Sequence, residues 1–112
     1  MTRVVNIREL PGATSRQFEG YPYGAVDVAF FVSATPPGRG PELHSHPYAE
    51  VFVVQVGTLT VTVGTDTIEA RAGQIVIVPA GVPHTFTNRS TEIVEHIDIH
   101  ARGRMETSWL EA

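Results

Sequence analysis

Glycine and proline cut the chain into short runs from residue 26 onward, and this punctuation constrains the fold more than any other feature. "VDVAFFVSAT" (26–35) is rich in β-branched and aromatic residues. "PPGRGP" (36–41) stops it, because proline removes a backbone donor and glycine frees the backbone. "AEVFVVQV" (49–56) is an apolar run that ends at Gly57, and "TLTVTV" then alternates with strict period two. "GTDT" (64–67) reads as a turn, followed by "IEARAG", "QIVIVPAG", "PHTFTN" and "EIVEHIDIH". Runs of eight to twelve residues with turn signals between them predict an all-β sandwich or barrel. No stretch carries a convincing helical period, and there is no internal repeat or linker. Before residue 25 only "RVVNI" reads as a short strand, and "GYPYG" reads as a turn. The tail "RGRMETSWLEA" holds Trp109 and Leu110, which must pack on the barrel or on a second subunit.

The 112 residues make one domain with one core. A 42% hydrophobic and 18% charged composition is that of a globular protein. The net charge is −4, and the eight basic residues are all arginines scattered along the chain, so no nucleic-acid partner is expected. No apolar run approaches the length of a membrane span. The first residues lack an apolar signal core, so a cytoplasmic protein is expected. The absence of cysteine excludes disulfides, a thiolate nucleophile, iron–sulfur clusters and cysteine zinc sites. The absence of lysine excludes Schiff-base chemistry. Any metal must be held by His, Asp or Glu.

"PELHSHPYAEVFVV" (41–54) is where such ligands gather. Side chains alternate across a strand, so His44 and His46 share a face. Pro47 and Tyr48 interrupt regular pairing, and Glu50 can rejoin that face. Two imidazoles and a carboxylate suit a divalent transition metal. Alone, the stretch reads equally well as a strand with two surface histidines. Two wider frames surround it. The first runs Gly38, five residues, His44, one, His46, three, Glu50, six, Gly57. The second runs Gly73, five residues, Pro79, one, Gly81, two, His84, three, Asn88. Gly38 and Gly57 are expected to bound a first hairpin, and Pro79 and Gly81 to form a corner. His84 is expected to face the first pair across the interior, with Asn88 bonding backbone in a structural role.

Together the two frames resemble both signature motifs of the cupin superfamily at every specified position, and the likeness covers about residues 25–100. It implies a double-stranded β-helix (jelly-roll) barrel around one divalent transition metal. Iron, manganese or zinc would be preferred, with nickel or copper also suited. Carried over, the ligands would be His44, His46, Glu50 and His84. The whole chain would be a single cupin domain, with an N-terminal arm (1–24) and a C-terminal tail (101–112) packing on the barrel or on a dimer partner.

Four protein ligands leave coordination positions open, as catalytic sites do. The resemblance therefore implies a metal-dependent enzyme acting on a small organic molecule. It would be an oxygenase, or an isomerase, cyclase or lyase working through a metal-bound enolate. The alternatives are a non-catalytic sensor or carrier of a small ligand, and a metal-stabilised structural protein. Phe52 and Phe86 share strand parity with Glu50 and His84, and either line the substrate cavity or belong to ordinary core. His96, Asp98 and His100 alternate with Ile97 and Ile99, so either set can point inward. If the polar set does, His96 or His100 can act as general acid or base. Gln55 has the opposite parity to Glu50 and is expected outside. "VFVV" and "IVIV" are apolar on both faces, which favours a homodimer.

Overall fold

Period-two alternation becomes two facing antiparallel sheets in a computed structural model that describes residues 3–110; Met1, Thr2, Glu111 and Ala112 lie outside the described residues. The strands are β1 (Ser15–Glu19), β2 (Ala29–Thr35), β3 (His44–Ser45), β4 (Glu50–Val56), β5 (Thr58–Val63), β6 (Asp66–Arg71), β7 (Ile75–Val78), β8 (His84–Thr87), β9 (Val94–His100) and β10 (Ser108–Trp109). One sheet has the order β1-β2-β9-β4-β7, the other β10-β3-β8-β5-β6. Most connections therefore carry the chain from one sheet to the other, which is the double-stranded β-helix.

Several local expectations need correction. "RVVNI" forms no strand; a single 3-10 turn over Ile7–Glu9 follows, capped by the Asn6 side chain. "GYPYG" is a second 3-10 turn, Tyr21–Tyr23, closed by left-handed Gly24. The strand expected to begin at Ile68 begins at Asp66. Gly57 does not close a hairpin. β4 pairs with β7 and β9, whereas β5 pairs with β6 and β8. The chain switches sheets there at φ 87°, and a Cβ would lie 3.1 Å from Val94, so both conformation and space call for glycine.

The barrel interior has an apolar end and a polar end. Phe52, Val54, Leu59, Val61, Ala70, Val76, Val78 and Val94 fill the first. The inner face of β4 runs Glu50, Phe52, Val54 beside His100, Asp98 and His96 of β9, so both strands pass from polar to apolar. The polar residues of β9 thus point inward, with Ile97 and Ile99 on the outer face, half-buried. Gln55 is exposed, as expected.

Asn88 ties the end of β2 to the loop that follows β8. It is fully buried, and its amide donates to the Thr35 and Glu92 carbonyls at 2.9 and 2.7 Å while its oxygen accepts from Ser90 N–H and Oγ–H. Asn88→Ala would take this donor from the buried Thr35 carbonyl and dismantle the bonds that hold the Ser90–Glu92 loop. It should lower stability by about 2–4 kcal/mol in urea denaturation, whereas a loss below about 0.5 kcal/mol would contradict this role.

Candidate metal centre

His44 and His84 are direct register partners on β3 and β8, with ring centroids 4.4 Å apart. His46 lies just beyond β3, where Pro47 ends pairing, and its carbonyl accepts from Gly81 N–H at 2.7 Å. The Pro79–Gly81 corner is thereby tied to the loop that carries the first two histidines. Glu50 opens β4, in the opposite sheet. This reverses the expected arrangement. His84 does not face the first pair across the interior; it stands beside His44, and Glu50 is the residue that faces all three imidazoles.

Local hydrogen bonds settle where the imidazole protons sit. The Nδ1 atoms of His44, His46 and His84 lie 2.7, 2.8 and 2.9 Å from the carbonyls of Glu42, Glu106 and Val82. A carbonyl only accepts, so each Nδ1 carries hydrogen and each neutral ring keeps its lone pair on Nε2. The four residues are buried, and their ligand atoms lie within 4.8 Å of one another. Nε2 of His46 and of His84 both lie 3.0 Å from Glu50 Oε1. Despite that short distance, His46 Nε2 has no hydrogen-bond partner. Two acceptors facing each other in a buried site repel, and a cation between them removes the conflict. The donor set therefore fits a divalent metal, in the geometry of a centre oriented by its outer hydrogen bonds.

Without a metal, protonated rings can take the ion's place beside Glu50. Burial alone would raise the Glu50 pKa, but contacts with His46 and His84 outweigh it and hold the carboxyl at about 2, so it is charged. Burial pushes His44 down. Burial also opposes charge on His84, but the Glu50 carboxylate and the Val82 carbonyl outweigh it and raise that ring. Without a metal, a proton shared by His84 and Glu50 is the available substitute.

A cavity of about 340 Å³ opens from Glu50, His44 and His46 past Phe31, Phe86 and Trp109 to the exposed Arg39. Phe86, partly packed against the apolar core, lines it. Phe52 does not: it is fully buried in the apolar end, register partner of Asp98. His100 lines the cavity with Nε2 3.5 Å from Glu50 Oε2. Burial pushes its pKa down to about 4, so this contact is not an ion pair at neutral pH. His96 is fully buried and does not line the cavity. Its Nδ1 lies 2.5 Å from Asp98 Oδ1, and its Nε2 lies 2.8 Å from the Thr35 hydroxyl. Asp98 and Thr35 both reach the cavity wall. Sequence reasoning singled out neither Asp98 nor Tyr48, although Asp98 shares the parity of His96 and His100. Tyr48 is buried, with its hydroxyl 2.7 Å from His100 Nδ1.

The chain belongs to the cupin family: residues 31–100 match the model of the cupin domain. An uncharacterized protein of Streptomyces coelicolor is 40% identical over 48 residues, which span 43% of this chain and 46% of that one, so the match covers about half the length of that relative. The fold is similar to a conserved Klebsiella pneumoniae protein with a double-stranded beta-helix domain (TM-score 0.72, 20% identity, all of both chains). It is also similar to Bacillus subtilis oxalate decarboxylase (TM-score 0.78, 20% identity, 98% of this chain and 33% of that one). No helix among the described residues is long and apolar enough to cross a membrane.

Burial raises Asp98 from 3.8 to about 6, against the bond from His96. The folded state thus binds this proton more tightly than the unfolded chain. The stability that Asp98 contributes falls as pH rises from 3.8 to about 6, opposite to an ion-paired carboxylate. Between about pH 4 and pH 7, urea denaturation of metal-free protein should shift in favour of Asp98→Asn over wild type, by about 3 kcal/mol at most. A difference independent of pH would contradict this placement.

Proposed function

We propose that this protein is a metal-dependent enzyme acting on a small organic molecule. One observation carries the reading: three imidazole lone pairs and a charged carboxylate oxygen converge, buried, beside a cavity of about 340 Å³ that His44, His46 and Glu50 line. His44, His46, Glu50 and His84 would hold one divalent transition metal, with iron, manganese or zinc preferred and nickel or copper also suited. The metal would supply Lewis acidity or redox capacity to a substrate oxygen.

The remaining residues bind and orient. Phe31, Phe86 and Trp109 offer apolar contact to the body of a substrate, and Arg39 offers charge to an anionic group. A fold similar to that of oxalate decarboxylase supports a small organic acid as the kind of substrate. Asp98 suits proton transfer, because it faces the cavity with a pKa near 6. His96 acts through it: Thr35 O–H donates to Nε2, and Nδ1–H donates to the carboxylate and fixes its orientation. A redox-active metal would favour oxygenase chemistry. Zinc or manganese would favour isomerase, cyclase or lyase chemistry.

Elemental analysis of protein purified without a metal-affinity tag should give about one divalent metal per chain, reduced at least tenfold in His84→Ala. Incubation with a bacterial metabolite extract should deplete a small acid with wild type and not with Asp98→Asn. Metal with retention but no depletion of a metabolite would make the protein a carrier or sensor. The absence of metal would sink both readings.

The proposal includes a homodimer. Register places Val51 opposite Ile77 and Ile99, Val53 opposite Ile75 and Ile97, and Phe30 and Val32 opposite Ile99 and Ile97. These eight side chains form one apolar outer face across four strands, and Ile75 and Ile77 are 62% and 69% exposed. A second copy of the chain is the partner assigned to it. Ile75→Lys/Ile77→Lys should run as a folded monomer in light scattering. A wild type already monomeric at micromolar concentration would remove the dimer.

A further inference from the structure

Four imidazoles crowd Glu50, yet only three present a lone pair, and the C-terminal tail accounts for the difference. One residue of that tail, Glu106, meets the site twice through its backbone. The Glu106 carbonyl accepts from His46 Nδ1–H at 2.8 Å, and the Glu106 N–H donates to the Tyr48 hydroxyl oxygen at 3.0 Å. Tyr48 must then direct its own hydrogen elsewhere. Two ring nitrogens are in reach: His100 Nδ1 at 2.7 Å and His46 Nδ1 at 3.4 Å. The His46 nitrogen already carries the hydrogen it gives to Glu106, so the Tyr48 hydroxyl donates to His100. Neutral His100 therefore holds its single hydrogen on Nε2, which faces Glu50 Oε2 at 3.5 Å.

We propose that the Glu106 backbone and Tyr48 sort these imidazoles by role, leaving His46 a metal ligand through a bare Nε2 and His100 a fixed N–H donor. His100 is then a positioning residue and not a fifth ligand. At 3.5 Å its contact is long for a hydrogen bond, but the N–H dipole still draws Oε2 toward it. That keeps Oε1 turned to the three lone pairs. The tail can do this because it is anchored on both sides of Glu106. Gly103 N–H donates to Asp27, Met105 N–H to Glu19, and Leu110 N–H to the Leu43 carbonyl, where β10 pairs with β3. The inference rests on reading His44, His46, Glu50 and His84 as a metal centre, but proton placement can be observed without metal.

Long-range proton–nitrogen NMR of the metal-free protein at neutral pH should find His46 protonated on Nδ1 and His100 on Nε2. Tyr48→Phe should release His100 to a mixture of tautomers. His100→Ala should weaken zinc binding about tenfold in a competition titration, and Tyr48→Phe should weaken it less. His100→Gln, whose amide can still donate to Glu50, should stay within about threefold of wild type. An Nδ1–H tautomer of His100 in the wild type overturns the inference, as does unchanged zinc affinity in His100→Ala. Wild type that takes up no zinc overturns the metal reading alone, and the tautomers then still decide the sorting.

Discussion

Glu50 faces three imidazole nitrogens that have no hydrogen to give it, and the rest of the molecule depends on that contact. Each ring spends its N–H on a backbone carbonyl two residues before it or, for His46, sixty residues away. The conflict of lone pairs is local, buried and preformed. A proton or a metal ion relieves it, and only a metal satisfies every acceptor at once. The barrel holds the conflict in place by supplying histidines from one sheet and the carboxylate from the other.

Such a site needs stiff surroundings. The apolar end of the barrel gives them, since Phe52 and Val54 continue the inner face of β4 directly below Glu50. Asn88 and the Thr35–His96–Asp98 chain fill the middle with satisfied polar groups, so the transition from core to cavity leaves few orphaned atoms. The polar chain also reaches the cavity wall at Thr35 and Asp98.

The cluster of His44, His46, Glu50 and His84 was legible because its spacing is dense and local: the first three lie within seven residues, and His84 sits in an equally specified frame. β5 was legible for the same reason, since "TLTVTV" alternates without a break. Strand parity gave the face of Phe52 but not its depth, and depth decided that it is core. β9 alternates polar and isoleucine, a pattern that reads the same with either set inside. Only the outer apolar neighbours on β4 and β2 settle it. The facing of His84 was misread because local spacing does not show that β3 and β8 are neighbours in one sheet, while the chain changes sheets between His46 and Glu50. Tyr48 and Glu106 were invisible because their roles are tertiary, 52 and 58–60 residues from their partners. "RVVNI" had a strand-like composition but found no strand to pair with.

X-ray absorption at the edge of a zinc ion loaded to one equivalent tests the central claim most directly. The account predicts a first shell of about three imidazole nitrogens and one carboxylate oxygen at roughly 2.0–2.2 Å, with the outer-ring scattering that imidazoles produce. A shell of oxygen alone, or a spectrum unchanged by His84→Ala, would contradict it.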